Sequence, residues 1–200
     1  APPSPRPSAP EGEAPGDRPP APARAPYLPA DHPPMPGAQR PAGATPSSFD
    51  PERPAVAGVI FTASSPLVYR APESAMRAAE YVVEGSDQAV LGVFFFPGGG
   101  GGVEANVARW VGQFAPAEPT VTEATVHNLP VTQIDVSGSY QGMAIPGRPV
   151  AGPQADHRML AAIVEGPQGP VFFKLVGPAD DVSRAEDAFE ALVASFRAAE

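Results

Sequence analysis

Four charged residues inside predicted strands are the strongest candidates for chemistry in this sequence. Arg77, Asp135, Arg158 and Lys174 each lie in a stretch whose pattern predicts a β-strand. A charged side chain is costly to bury unless it pairs with an opposite charge or meets a ligand. If the four share one sheet face and a pocket, they could bind a polar ligand. Otherwise they pair with one another or face water, where ion pairs contribute little.

A run of five glycines, residues 98–102, invites comparison with a phosphate-binding loop. It follows an apolar stretch and precedes a helical pattern, and phosphate loops combine backbone N–H groups with a helix N-terminus in this way. Here, however, there is no Gly-Lys-Ser/Thr ending, the only lysine of the chain is Lys174, and Glu104 would repel an anion. The run therefore predicts a flexible connection that allows close crossing of strand and helix, and no nucleotide binding.

The other candidates for metal binding or catalysis are isolated. His32, His127 and His157 lack the spacing of metal ligands, although His32 and Met35 could bind a soft metal on the N-terminal segment. The chain has no cysteine and no Gly-x-Ser-x-Gly motif, and the acidic residues of 180–190 are typical of a solvated helix face. The sequence therefore predicts no enzyme, no metal site and no cofactor.

A sheet must position the four charges, and its central strand is predicted at residues 89–96. Both alternating sets of side chains in this stretch are apolar, so the strand must be covered on both faces. The helix predicted next has its apolar residues on one stripe, which includes Trp110 as an expected core residue. The stripe consists of Val103, Val107, Trp110, Val111 and Phe114.

The other elements are predicted to be strands joined by turns, followed by a closing helix. The further predicted strands are 56–63, 67–72, 75–83, 121–128, 129–140, 157–167 and 170–177. Residues 141–156 contain three prolines and three glycines and are expected to form a loop, and a last helix is expected from residue 180 onward. The predicted fold class is therefore α+β, a mainly antiparallel sheet with helices packed on it.

Residues 1–54 differ from the rest of the chain in composition. They hold 18 of the 30 prolines, which leaves 12 for residues 55–200. A segment with so much proline and so few large apolar residues cannot bury enough surface to offset its ordering entropy. We therefore expect residues 1–54 to be an extended arm of partly polyproline II character, followed by a single α+β domain at 55–200.

The net charge of the chain restricts its binding partners, and the first residue bears on its cellular compartment. Residues 55–200 carry 16 acidic against eight basic residues, a net charge of −8, which argues against nucleic acid and anionic membrane surfaces. No apolar run approaches the roughly 18 residues that a membrane span requires. The chain begins with Ala1, as it would after removal of a signal peptide or lipoprotein leader, so an extracytoplasmic location in the periplasm or cell envelope is expected.

The C-terminal pattern Phe189-x-x-Leu192-x-x-Ser195-Phe196 follows a hairpin and a Gly-Pro turn. This ending, with the element order from about residue 56 to 198, resembles PsbP-like and DcrB-like domains of bacterial exported proteins. The resemblance implies an α/β/α sandwich and a protein that is exported, lipid-anchored or a peripheral subunit of a membrane complex. The motifs are packing motifs, so the resemblance bears on fold more than on function.

Two functions remain open on these observations. The first is a non-catalytic extracytoplasmic accessory or adaptor protein, whose domain docks on a partner complex with the arm as tether or strap. In this case Tyr27, Leu28, Met35 and Phe49 are the apolar side chains that could insert into grooves of a protein partner. The alternative is a small-ligand-binding domain that uses the four charged residues on the polar face of its sheet.

Overall fold

A computed structural model of the chain describes residues 49–142 and 152–199. Predictions on residues 1–48 and 143–151 lie outside the described residues. They include most of the predicted arm, part of the predicted loop, and the candidates Tyr27, Leu28, His32 and Met35.

The described residues form strands and helices in much the order that was predicted. The strands are β1 (Ala55–Val56), β2 (Val59–Ile60), β3 (Leu67–Arg70), β4 (Ala79–Val83), β5 (Val90–Phe95), β6 (Phe114–Ala115), β7 (Thr120–Val126), β8 (Leu129–Tyr140), β9 (Gln154–Gly166), β10 (Gly169–Pro178) and β11 (Arg197–Ala198). The helices are α1 (Val103–Val111), α2 (Ala179–Arg184) and α3 (Glu186–Ala194).

The large sheet has the strand order β3-β4-β5-β10-β9-β8-β6, and β7 also pairs with β8. Every pairing is antiparallel, and β5 lies between β4 and β10, in agreement with its two-sided apolar pattern. The hairpin of β7 and β8 turns at His127 and Asn128, whose φ angles are 44° and 67°. The mainly antiparallel α+β fold predicted from the sequence is confirmed.

Helices cover both faces of this sheet. On the face that we call the α2–α3 face, Val182, Phe189 and Leu192 join one large apolar cluster with strand residues. On the opposite face, the α1 face, Trp110 packs edge-on against Phe172 of β10, with ring centroids 6.0 Å apart. The arrangement is the α/β/α sandwich that was expected, and Trp110 is a core residue, as predicted.

The strand predicted at 56–63 is instead a tight hairpin of β1 and β2. Ala57 and Gly58 have φ angles of 49° and 78°, which reverse the chain between the two strands. β2 then pairs with β11 to form a separate three-stranded sheet. The prediction of a single strand was wrong because apolar composition does not reveal a turn made by backbone conformation.

Several other boundaries differ from the prediction, among them the start of β9 at Gln154, inside the loop expected at 141–156. The strand expected at 75–83 begins at Ala79, and Arg77 lies in the preceding turn, where its backbone N–H donates to the Ser74 carbonyl at 3.0 Å. α1 ends at Val111, so Phe114 belongs to β6 and not to the helix. The closing helix is divided into α2 and α3 at Ala185, whose φ and ψ of −99° and 3° depart from helical geometry.

Candidate functional site

The four charged residues singled out in the sequence do not share one face of the sheet. Arg158 of β9 and Asp135 of β8 lie on the α2–α3 face, where Arg158 donates hydrogen bonds to Asp135. Lys174 of β10 lies on the α1 face, in register with Gly92 of β5. Arg77 approaches that same face from the turn before β4. The structure therefore offers two separate charged clusters.

Arg158 holds α3 against the sheet. Its Nε and Nη2 donate to the Asp135 carboxylate at 3.0 and 2.8 Å, and its Nη1 and Nη2 donate to Glu186 of α3 at 2.7 and 2.8 Å. The hydrogen bonds that Arg158 donates to Asp135 and Glu186 raise the pKa of Arg158, and the bond from Arg158 lowers the pKa of Glu186. The one cation of this cluster is bonded to two carboxylates of the same chain, which indicates a structural clamp.

Two clefts border Asp135, with volumes of about 220 and 360 Å³. Their walls carry threonines and the carboxylates of Glu186, Glu190 and Glu118, so they are acidic. The oxygens of Asp135 are already bonded to Arg158. The first volume lies below the range of about 300–1,000 Å³ that is usual for small-molecule sites. Within the described part of the chain, neither cleft is lined by a basic side chain.

The α1 face carries a second charged cluster, arranged by strand register. Arg70 of β3 lies opposite Glu80 of β4, which lies opposite Gly92 of β5, which lies opposite Lys174 of β10. We call this line of residues, together with Arg77 beside it, the basic row. It places three cations next to one carboxylate in a chain whose net charge is −9.

Glu80 is the buried anion of the basic row. Its side chain is fully buried, and its two oxygens accept hydrogen bonds from Arg70 and Arg77. Burial alone would raise the pKa of Glu80, but the bonds from Arg77 and Arg70 outweigh it, and the pKa lies below its usual value. Glu80 is therefore ionised and paired at neutral pH.

Lys174 is the buried cation of the basic row, and it has no carboxylate partner among the described residues. Its side chain is 9% exposed, and its ammonium donates to the side-chain oxygen of Gln113. The Nζ lies 5.8 Å from the centre of the Trp110 ring and 5.5 Å from that of Tyr140. Burial lowers the pKa of Lys174 to about 8, and the charges of Arg109 and Arg77 act in the same direction.

Sequence reasoning missed Glu80, Arg70, Arg109 and Gln113. Glu80 and Arg70 met the same criterion as the residues that were singled out, because each interrupts an apolar strand. Arg109 and Gln113 were placed off the apolar stripe of α1, and no sequence signal relates them to Lys174 on a distant strand. That relation exists only because α1 crosses β10 on this face.

A second line of residues on the α1 face is apolar and incompletely covered. Register aligns Val68 of β3, Val82 of β4, Val90 of β5 and Val176 of β10, which we call the valine row. All four are at least partly exposed, and Val68 is 46% exposed. The line continues on β9 and β8 as Met159 and Val136, which are 0% and 1% exposed.

The glycine run between β5 and α1 is held from inside the protein. All five of its glycines have φ between 58° and 97°, a region that residues other than glycine rarely adopt. The amide of Asn106, 1% exposed, donates to the carbonyls of Gly100 and Gly102 at 3.0 and 2.6 Å. The run is thus a connection of special backbone shape, and the absence of nucleotide binding stays a prediction.

Phe49, predicted as an apolar anchor of the arm, packs on the protein's own core. Its ring is 5.3 Å from Tyr69 and 6.3 Å from Phe61, both stacked, and 6.5 Å from Tyr81 in edge-on contact. The residue belongs to the same compact unit as the large sheet. A role of Phe49 in binding a partner stays a prediction, as does the domain boundary at residue 54.

The histidines within residues 49–142 and 152–199 have structural contacts. His127 Nδ1 lies 2.9 Å from the Phe196 carbonyl oxygen, and the ring of His157 stacks on Tyr140. The described parts of the chain hold no group of three His, Cys, Asp or Glu side chains that could bind a metal ion. Nor do they include a helix of the length and apolar character needed to span a membrane.

Comparison with known proteins yields structural similarity only. No family model and no curated protein sequence matches the chain. The solution structure of cyanobacterial PsbP (CyanoP) from Synechocystis sp. PCC 6803 is similar with a TM-score of 0.46 and 10% identity, over 70% of this chain and 86% of that protein. A protein of unknown function from Pseudomonas aeruginosa, PA94, has a TM-score of 0.38 and 13% identity, over 64% and 94%.

The first of these structures is a PsbP protein, the kind of domain that the C-terminal pattern resembles. With TM-scores below 0.5 and so few identical residues, they carry no argument about function. The functional argument therefore rests on the α1 face.

Proposed function

We propose that the protein is a non-catalytic accessory protein that docks on a protein partner through the valine row. The observation that carries this proposal is the change of burial along one line of residues. Val136 and Met159 are buried where the α1 side of the sheet is covered, whereas Val68, Val82, Val90 and Val176 on the same line are not. Burial of partly exposed valines against a partner is favourable by about 25 cal/mol per Å².

The partner surface that fits this face is apolar with acidic side chains at its edge. The valine row runs beside the basic row, and Arg70 and Arg77 are 38% and 31% exposed. Complementary charge at the rim of an interface selects the partner and its orientation more than it adds affinity. An acidic chain that concentrates arginines beside its exposed valines is suited to such a partner.

The location and the arm complete the proposal. The composition of residues 1–54 supports a tether outside the cytoplasm, and the partner we infer is an exported or membrane-associated complex. Tyr27, Leu28 and Met35 are the apolar side chains with which the arm would act as a strap on that partner.

Two valines of equal exposure provide the test. Val68 is 46% exposed on the valine row, and Val121 is 45% exposed on β7, on a different part of the protein. The native protein and the variants Val68→Asp and Val121→Asp are each expressed in the cells that normally produce the protein, cross-linked there and purified. The amount of each co-purified protein is then compared among the three samples. A partner that Val121→Asp retains and Val68→Asp loses supports docking at the valine row.

Two results contradict this docking site. One is equal recovery of all partners with both variants. The other is self-association of the purified protein that only Val68→Asp abolishes, because a second copy of the chain would then cover the valines. A separate exchange of residues 20–48 for a Gly/Ser linker of equal length leaves Phe49 in place. Unchanged partner recovery after this exchange would reduce the arm to a spacer.

A further inference from the structure

We propose that Lys174, Arg77 and Arg109 bind a small organic carboxylate at the α1 end of the basic row. This site is independent of partner docking, because it requires only the folded chain. It assigns to the protein a ligand class that the valine row does not imply.

The first observation is a buried ammonium that lacks a counter-ion. Lys174 is 9% exposed, and within the described residues its one hydrogen-bond partner is the neutral side chain of Gln113. An ammonium has three N–H donors, so two have no protein acceptor there. Buried charges are normally paired, and removal of one partner from a buried pair is strongly destabilising. A lysine in this state is suited to an anion that arrives from outside.

The second observation is the sign of the surrounding charges. Arg77 lies beside Gly92, the residue opposite Lys174, and the charges of Arg77 and Arg109 both oppose the protonation of Lys174. Arg109 is exposed, and its guanidinium donates to the neutral Asn106. Glu80, the buried carboxylate of this row, has both oxygens bonded to Arg70 and Arg77. The cluster therefore has unmatched positive charge, with Arg109 exposed and Lys174 buried.

The third observation concerns the neighbours of Lys174, which are small or aromatic. Gly92 and Ala161 lie opposite Lys174 on the two adjacent strands, and the rings of Trp110 and Tyr140 lie within 6 Å of its Nζ. Small and aromatic neighbours of this kind suit a carboxylate carried on a short apolar group. A monoanion also suits the site better than a dianionic phosphate, because Glu80 already supplies negative charge to the same row.

Trp110 gives a direct readout, because it is the only tryptophan of the chain and lies beside Lys174. The full-length protein is titrated with butyrate while its fluorescence is recorded, at constant ionic strength. We expect a saturable change with a dissociation constant in the millimolar range. Butyramide, the neutral analogue of the same shape, is expected to give no change, and the same is expected of chloride.

Variants show whether the cations are responsible. Lys174→Met and Arg109→Gln are each expected to weaken butyrate binding about tenfold, the loss of one hydrogen bond to a charged group. Arg109 is on the helix surface, so Arg109→Gln keeps the test valid if Lys174→Met does not fold. Arg197→Gln, an exposed substitution on β11 in the other sheet, is the matched control and is expected to bind butyrate unchanged.

Four results would overturn the site. They are the absence of saturation with butyrate, equal binding of butyramide, equal response to chloride, and unchanged affinity in Arg109→Gln. The first result would mean that Lys174 has only its structural contact with Gln113. None of them bears on the valine row, which is tested by partner recovery.

Discussion

The ring of Phe49 is stacked on the ring of Tyr69, with centroids 5.3 Å apart and planes inclined by 23°. Phe49 comes before the boundary at residue 54 that proline content predicts, and Tyr69 lies on the edge strand β3. The contact attaches the chain ahead of β1 to the large sheet. Stacked aromatic pairs contribute about 0.5–1.5 kcal/mol beyond the burial of their area.

We therefore expect Phe49→Ala to lower the free energy of unfolding by about 1–3 kcal/mol, less than for a fully buried phenylalanine because the side chain is half-buried. Urea unfolding followed by Trp110 fluorescence measures this difference. Pro51→Ala, an exposed substitution nearby, is the control and should change stability by less than about 0.5 kcal/mol. Equal stability of Phe49→Ala and wild type would place the start of the cooperative unit after residue 49.

Among amide substitutions on the α1 face, Glu80→Gln should lower the free energy of unfolding the most. It leaves Arg70 and Arg77 without their buried counter-charge, so we expect a loss of about 2–4 kcal/mol at pH 7. Glu73→Gln is the matched control, because Glu73 is 71% exposed and touches only Arg70, at 3.3 Å. Its loss should be below about 0.5 kcal/mol.

The effect of Glu80→Gln should depend on pH in a defined direction. The pKa of Glu80 is lower in the folded protein than its ordinary value of 4.5. The stability that its charge contributes is therefore fully present above pH 4.5 and is lost as pH falls through the folded-state pKa. Urea midpoints of wild type and variant should converge in acid, and a constant difference from pH 7 to pH 3 would contradict the ion-pair explanation.

Arg158→Gln should loosen the attachment of α3. The substitution removes the cation shared by Asp135 and Glu186, whose carboxylates are 40% and 37% exposed, so the loss is limited to about 1–2 kcal/mol. Hydrogen exchange should show the larger effect on the amides of α3. Arg184→Gln breaks the exposed pair with Asp181 at 2.8 Å and should cost less than about 0.5 kcal/mol. Equal effects of the two substitutions would show that Arg158 does not act as a clamp.

Lys174 should make the protein more stable as the solution becomes alkaline. Its pKa is about 8 in the folded protein against 10.5 as the ordinary value. Between these pH values the unfolded chain holds a proton that the folded chain has released, so stability rises with pH. Relative to Lys174→Met, which cannot titrate, wild type should gain about 3 kcal/mol across this window.

The measurement is urea unfolding of both proteins at pH 7, 8, 9 and 10, followed by Trp110 fluorescence. The comparison with Lys174→Met removes the contribution of tyrosines, which titrate in the same range. Arg197→Gln, which leaves Lys174 in place, should follow the wild-type curve. Parallel curves for wild type and Lys174→Met would mean that the pKa of Lys174 is near its ordinary value.

Periodicity in the sequence was sufficient to predict much of the fold. The strand Val90–Phe95 is apolar on both faces and could be stable only between two covered layers, and the stripe of α1 predicted its buried side. The turns at His127–Asn128 and at residues 166–169 separate alternating segments, so both hairpins were predicted. These features depend on residues that are close in the chain.

The charged clusters could not be predicted in the same way. Lys174 and Arg158 are both charges in apolar strands, and nothing local shows that one meets two carboxylates and the other none. The difference depends on strand order, because β5 and β10 are neighbours although Gly92 and its partner Lys174 are 82 positions apart in the chain.

The sequence by itself determined the elements and the class of the fold, because the period of apolar residues follows from local backbone geometry. It also determined that Lys174, Arg158 and Asp135 would be exceptional, since each is a charge inside a predicted strand. Only the tertiary structure decided which face each charge occupies and what it meets there. Antiparallel pairing between distant strands sets that register, and a shift by one residue would move Lys174 away from Gln113 and onto the α2–α3 face.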